Sequence, residues 1–171
     1  MILTKRPERM KNYFLRIMDS GERAWSFSNH NLLGYSYRHF LHKYALNFRL
    51  KKPIENLWLG VTAENQHTAE ERIPILLDTP AAKRFVSFEP LLELVDLVQP
   101  HGQGIGELLI EYLDWVIVGA ETGHGARYMT PSWARVLRDD CRWCSVPFFF
   151  KKMSNKAEIP ADLMIREFPK E

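Results

Sequence analysis

The sequence predicts an α/β fold, a partial (β/α) barrel of TIM-like type with about five parallel strands. Two observations predict it. Short apolar runs rich in β-branched and aromatic residues alternate with stretches whose apolar residues recur at helical spacing. Each run then ends in charged or polar residues: Lys5 and Arg6; Thr62 and Glu64; Ser87 and Glu89; Glu121 and Arg127; Lys151 and Lys152. Right-handed crossovers make successive strands parallel, so these ends converge on one rim. That rim is where ligands bind in parallel α/β folds. The competing explanation is that strand ends meet water and acids cap the following helices.

The elements follow in chain order. Met1-Ile2-Leu3-Thr4 is a short apolar start, and Pro7 and Glu8 suit the first turn of a helix continued by Met10, Tyr13, Phe14, Ile17 and Met18. A strand normally begins earlier, so the N-terminus reads as cut into. Residues 24–54 read as a helical insertion. Within it, residues 35–52 interleave aromatics with Arg38, His39, His42, Lys43 and Arg49. That mixture suits an amphipathic helix with a basic face, or alternatively a surface for nucleic acid or a host protein.

Residues 56–62 form the next strand candidate. Thr68 to Glu71 has the Ser/Thr-x-x-Glu form of a capping box, with the helix stopped at Thr79-Pro80. Residues 84–88 are the third strand, residues 91–98 have no clear period, and residues 107–112 suit a short helix. Residues 113–118 are the central strand, buried on both faces. Its glycine-rich turn leads to a helix with Thr130 as N-cap and Pro131 at the first position. Residues 146–150 are the last strand, and residues 154–171 form a tail that packs loosely or closes as a helix.

The totals set bounds. The chain has 171 residues, 46% hydrophobic and 26% charged, which suits one domain with a real core. A net charge of +2 is too mild to argue for nucleic acid. No run is long and apolar enough to span a bilayer and no signal peptide is apparent, so the expected location is cytoplasmic.

The rim supplies the candidate ligand-binding residues: Lys5, Arg6, Thr62, Glu64, Ser87, Glu89, Gly119, Glu121, Gly123, Gly125, Arg127 and Lys151. Acids and bases mixed at one edge suit a small anionic or polar ligand. The three glycines would let backbone N–H groups approach an anion. Glu64, Glu89 and Glu121 could also hold a divalent cation. Pairing of these acids with Lys5, Arg127 and Lys151 is favoured over a metal. Cys141 and Cys144 form a Cys-x-x-Cys late in a predicted helix, where neither thiolate stabilisation nor a four-ligand zinc site is expected. No metal site and no catalytic residue is assigned.

Five blocks carry a resemblance: residues 2–10, 57–66, 85–92, 114–123 and 147–151. In order, they resemble a bacteriophage and prophage family of unknown function. Its longer members bear a three-cysteine motif near the N-terminus and are similar to radical S-adenosylmethionine enzymes on a partial (β/α) barrel. The resemblance implies that Thr62, Glu64, Glu89, Glu121 and Arg127 line the S-adenosylmethionine and substrate side. It also implies that this chain begins at the third strand and lacks the cluster-binding cysteines. S-adenosylmethionine and an iron–sulfur cluster therefore belong to the longer relatives, and this chain alone is not expected to perform radical chemistry. An unpaired first strand further implies self-association or pairing with a separately encoded N-terminal half.

Overall fold

In a computed structural model, described for residues 1–19, 56–98 and 109–170, five strands form one sheet. Their order is β1 (Ile2–Thr4), β2 (Trp58–Thr62), β3 (Lys83–Phe88), β4 (Trp115–Val118) and β5 (Phe148–Phe150). Every neighbouring pair is parallel. Spatial order thus follows chain order. Among the described residues, three helices accompany the sheet: α1 (Pro7–Asp19), α2 (Gln66–Leu77) and α3 (Pro131–Trp143). The expected insertion at 24–54, its basic-aromatic part at 35–52 and the loop at 100–106 lie outside the described residues.

Local sequence sets each helix. Pro7 opens α1 with Glu8 in its first turn, and Met10 and Phe14, one turn apart, are buried. Tyr13, expected on the same stripe, is exposed. The capping box of α2 is Asn65 with Thr68, not Thr68 with Glu71. The Thr68 N–H donates to Asn65 Oδ1 at 2.9 Å, and the Asn65 N–H donates to Thr68 Oγ1 at 3.1 Å. Asn65 is itself a strong N-cap and comes first after the strand, so the helix starts three residues earlier. Thr130 precedes α3 and Pro131 opens it, as expected, but the Thr130 side chain makes no capping bond.

Strand alternation gives the sheet two different faces. On one, Leu59, Val61, Val86, Phe88, Val116, Val118, Phe148 and Phe150 pack with Met10 and Phe14 of α1, Ile73 and Leu76 of α2, and Leu137 and Cys141 of α3. This is the main core. The other face is graded along the strands. Near their N-terminal ends Trp115 meets Trp58 edge-on at 6.4 Å and Phe149 at 5.8 Å, and tilts against Phe85 at 6.0 Å. Phe85 lies across Gly60, its register partner on β2, where a Cβ would come within 2.4 Å of the ring. Further along come Thr62 and Ser87, and then charge.

The tail is neither loose nor a closing helix. Short 3-10 turns at Ser154–Lys156 and Ala161–Leu163 lead to a segment lying antiparallel on the outer edge of β5. The Phe150 N–H donates to Ile165 O at 2.8 Å and the Glu167 N–H to Phe148 O at 3.0 Å. Pro160 and Pro169 flank this stretch and disfavour a continuous helix. Leu163 is fully buried, and Asp162 accepts hydrogen bonds from Arg135 and Arg138 of α3. Among the described residues, no helix is long and apolar enough to cross a membrane.

Candidate functional site

The C-terminal ends of the strands place three glutamates on one rim, each held by cations. Glu64, just past β2, pairs with Lys5 from the end of β1 and with Arg72 of α2, whose Nη1 lies 3.0 Å from Oε2. Arg72 Nη1 also donates to the carbonyl of Thr62 at 2.7 Å. Burial pushes the Glu64 carboxyl up, but the hydrogen bond from Lys5 and the charges of Arg72 and Lys5 outweigh it and hold the group below its usual value.

Glu89, just past β3, lies between Lys151 at 3.0 Å and Lys152 at 2.8 Å. Burial again acts upward, and the two lysines prevail, so this carboxyl is also lowered. The Glu89 side chain crosses Gly119 of the neighbouring chain segment, where a Cβ would sit 3.4 Å from it.

Glu121 lies beyond β4 and forms a two-point clamp with Arg127: Nε to Oε2 at 2.8 Å and Nη2 to Oε1 at 2.9 Å. The Arg127 backbone N–H donates to Oε2 as well, at 2.9 Å. These hydrogen bonds bring the Glu121 carboxyl down to about 2. Gly123 and Gly125 in the intervening turn have φ of 112° and 75°, a region that favours glycine. The hydrogen bond to Glu121 raises the Arg127 guanidinium in turn, and the Glu64 charge adds to that rise.

The acids pair as the sequence favoured, Glu64 with Lys5, Glu89 with Lys151 and Glu121 with Arg127. Among the described residues, no group of three or more His, Cys, Asp or Glu is placed to hold a metal ion. Thr62 and Ser87 are register partners on β2 and β3, 5% and 2% exposed. Arg6 is exposed, and its backbone N–H donates to Thr4 Oγ1 at 2.9 Å. The Gly119 N–H donates to Phe88 O at 3.0 Å, so it is not free for an anion, and the glycine instead makes room for Glu89.

Arg72 was missed from sequence, and Lys152, placed at the rim, was left out of the candidate ligand-binding residues. Lys152 faces the opposite way from Lys151 along an ideal strand, but β5 ends at Phe150 and both lysines reach Glu89. Arg72 comes from the second turn of α2, and the spacing from Glu64 becomes informative only once the helix is known to start at Gln66.

A cleft of about 660 Å³ lies at the other end of the sheet, lined by Lys83, Asp114, Arg142, Pro147, Glu167 and Lys170 among others. It is an open surface, and Lys83 and Asp114 within it already pair at 3.3 Å. The rim is therefore the stronger candidate, because its charged groups come from the ends of five successive strands. Cys141 is buried and Cys144 partly so. Burial pushes both thiols up, which disfavours a reactive thiolate.

Fold and rim together define an α/β protein with a parallel five-stranded sheet and a charged C-terminal edge. The chain belongs to the DUF5131 family, described as a protein of unknown function, whose family model matches residues 1–165. No curated protein and no solved structure matches it.

Proposed function

We propose that the rim is the small-molecule site of a partial (β/α) barrel, laid out like the ligand side of the radical S-adenosylmethionine enzymes that longer phage and prophage relatives resemble. The observation that supports it is the gathering of Glu64, Glu89 and Glu121, each ion-paired, beyond three neighbouring parallel strands. Consecutive strand order is also the order of a barrel. The paired acids are fixed in place, which suits orienting a polar ligand.

An iron–sulfur cluster does not fit this chain's donor set. It needs at least three thiolates, and the sequence has two cysteines, one of them buried on the core side of α3. No radical step is therefore derived from these residues. In this reading the chain binds ligand, and a second copy or a separately encoded N-terminal half meets it along β1. Ile2 and Leu3 there are 44% and 48% exposed.

Calorimetric titration of the full chain with S-adenosylmethionine tests the proposal. The expected outcome is a saturable heat that weakens about tenfold or more in Glu89→Gln, a loss of the size that unpairing one charged contact brings. No heat in the wild type, or equal affinity in Glu64→Gln, Glu89→Gln and Glu121→Gln, would overturn it.

A further inference from the structure

We propose that Thr62 and Ser87 floor an oxyanion subsite within this rim, which receives a carboxylate or phosphate group of the ligand. This rests on the rim being the ligand site, and it specifies the chemistry of one part of it.

Two observations carry it. The first is the state of the hydroxyls. Thr62 and Ser87 are register partners on adjacent strands, so their side chains lie side by side on the same face as Gly60 and Phe85. They are 5% and 2% exposed. The backbone carbonyls of both are used, by Arg72 and by the Ala63 N–H. Neither hydroxyl has a hydrogen-bond partner among the described residues. A hydroxyl that no neighbouring group engages can donate to a bound acceptor.

The second is the charge above them. Lys5 continues β1 to the level of Thr62, and Glu89 and Lys151 stand one step beyond Ser87 and Phe149. Glu64 and Glu89 together face four cations, Lys5, Arg72, Lys151 and Lys152. The two acids balance half of that charge. The remainder favours an anion over a cation or a metal. A hydroxyl donates readily to a charged oxygen, and the lysines supply the counter-charge.

The test is binding of inorganic phosphate and, in a parallel arm, succinate to the full chain, followed by melting temperature against sodium chloride at matched ionic strength. Wild type is expected to melt higher in at least one of the two, and the responding arm tells phosphate from carboxylate. Thr62→Val and Ser87→Ala, made singly and together, are expected to lose that rise, and Lys151→Met to weaken the anion about tenfold, typical for one charge-assisted contact. Arg135→Ala, which removes a cation paired with Asp162 of the tail and not with the rim acids, is expected to keep it. Should the double variant fail to fold, either single variant decides. Equal melting in phosphate, succinate and chloride would overturn the subsite, as would an undiminished rise in both single variants. If S-adenosylmethionine still binds in those cases, the rim remains the ligand site and only the oxyanion assignment falls.

Discussion

Single side chains in this protein matter most where a large group lies over a glycine. Gly60 has no room for a methyl group, because the Phe85 ring occupies the space at 2.4 Å. Gly60→Ala should therefore lower stability by about 1–3 kcal/mol through overpacking, measured by urea denaturation. Gly119→Ala should cost much less, since its new Cβ would meet Glu89 at an ordinary 3.4 Å. Equal losses at the two positions would contradict the difference in packing. Asp140 is a second informative residue. Its Oδ2 is buried without a hydrogen-bond partner among the described residues. Burial, and then repulsion from Asp96, raise its carboxyl to about 6, against one hydrogen bond from the Leu97 backbone. The folded value lies above the unfolded one of 3.8, so the stabilising effect of its proton is complete below about 4. It is lost as pH rises through about 6. Asp140→Asn should flatten the stability profile between those two values, with a gain above pH 6 of about 1 kcal/mol. A profile of unchanged slope would refute the assignment.

Strands and helices here are short, and their edges are held by side chains as well as by the ladder. Glu167 is the clearest instance. Its Oε2 accepts the Phe148 N–H at 2.9 Å, and its carbonyl accepts the Trp115 indole N–H at 2.9 Å. Phe168 next to it packs on Trp115 and Phe149 at 5.2 and 5.3 Å. Glu167→Ala should cost about 1–2 kcal/mol by leaving the Phe148 N–H without its charged acceptor. Amide hydrogen exchange should accelerate at Phe148 and Phe150 while staying slow at Val116 and Val118. Uniform exchange across the sheet would argue that the tail does not secure β5. The Arg135, Arg138 and Asp162 cluster joins the same tail to α3, but Asp162 is exposed and Arg135 partly so, and the cluster should matter less.

Across the whole molecule, stability should also fall on the acid side. The Glu64 and Glu89 carboxyls are held below the usual range by their cations. Their contribution is present above the unfolded value of 4.5 and is lost as pH falls through the lowered folded values. Urea midpoints should therefore drop below about pH 4.5, and 1 M salt should blunt that drop by screening the exposed lysines. The parallel order was legible in sequence because Leu57 to Val61, Phe85 to Phe88, Trp115 to Val118 and Phe148 to Phe150 are largely apolar and a charge follows each within three residues. The acids of the rim were legible for the same reason. Arg72, the pairing of Lys152 with Glu89 and the course of the tail were not, because they depend on where a helix begins, where a strand stops and which edge a segment meets. Those are outcomes of packing between distant parts of the chain, and local pattern does not encode them.

The tail on β5 makes the sheet directional as a platform for growth. Adding another ribbon beyond β5 would first require peeling away residues 165–167 and exposing the amides of Phe148 and Phe150. The opposite margin at β1 demands no such rupture among the described residues. Any assembly that enlarges this sheet without unfolding part of it is thus steered to a single flank.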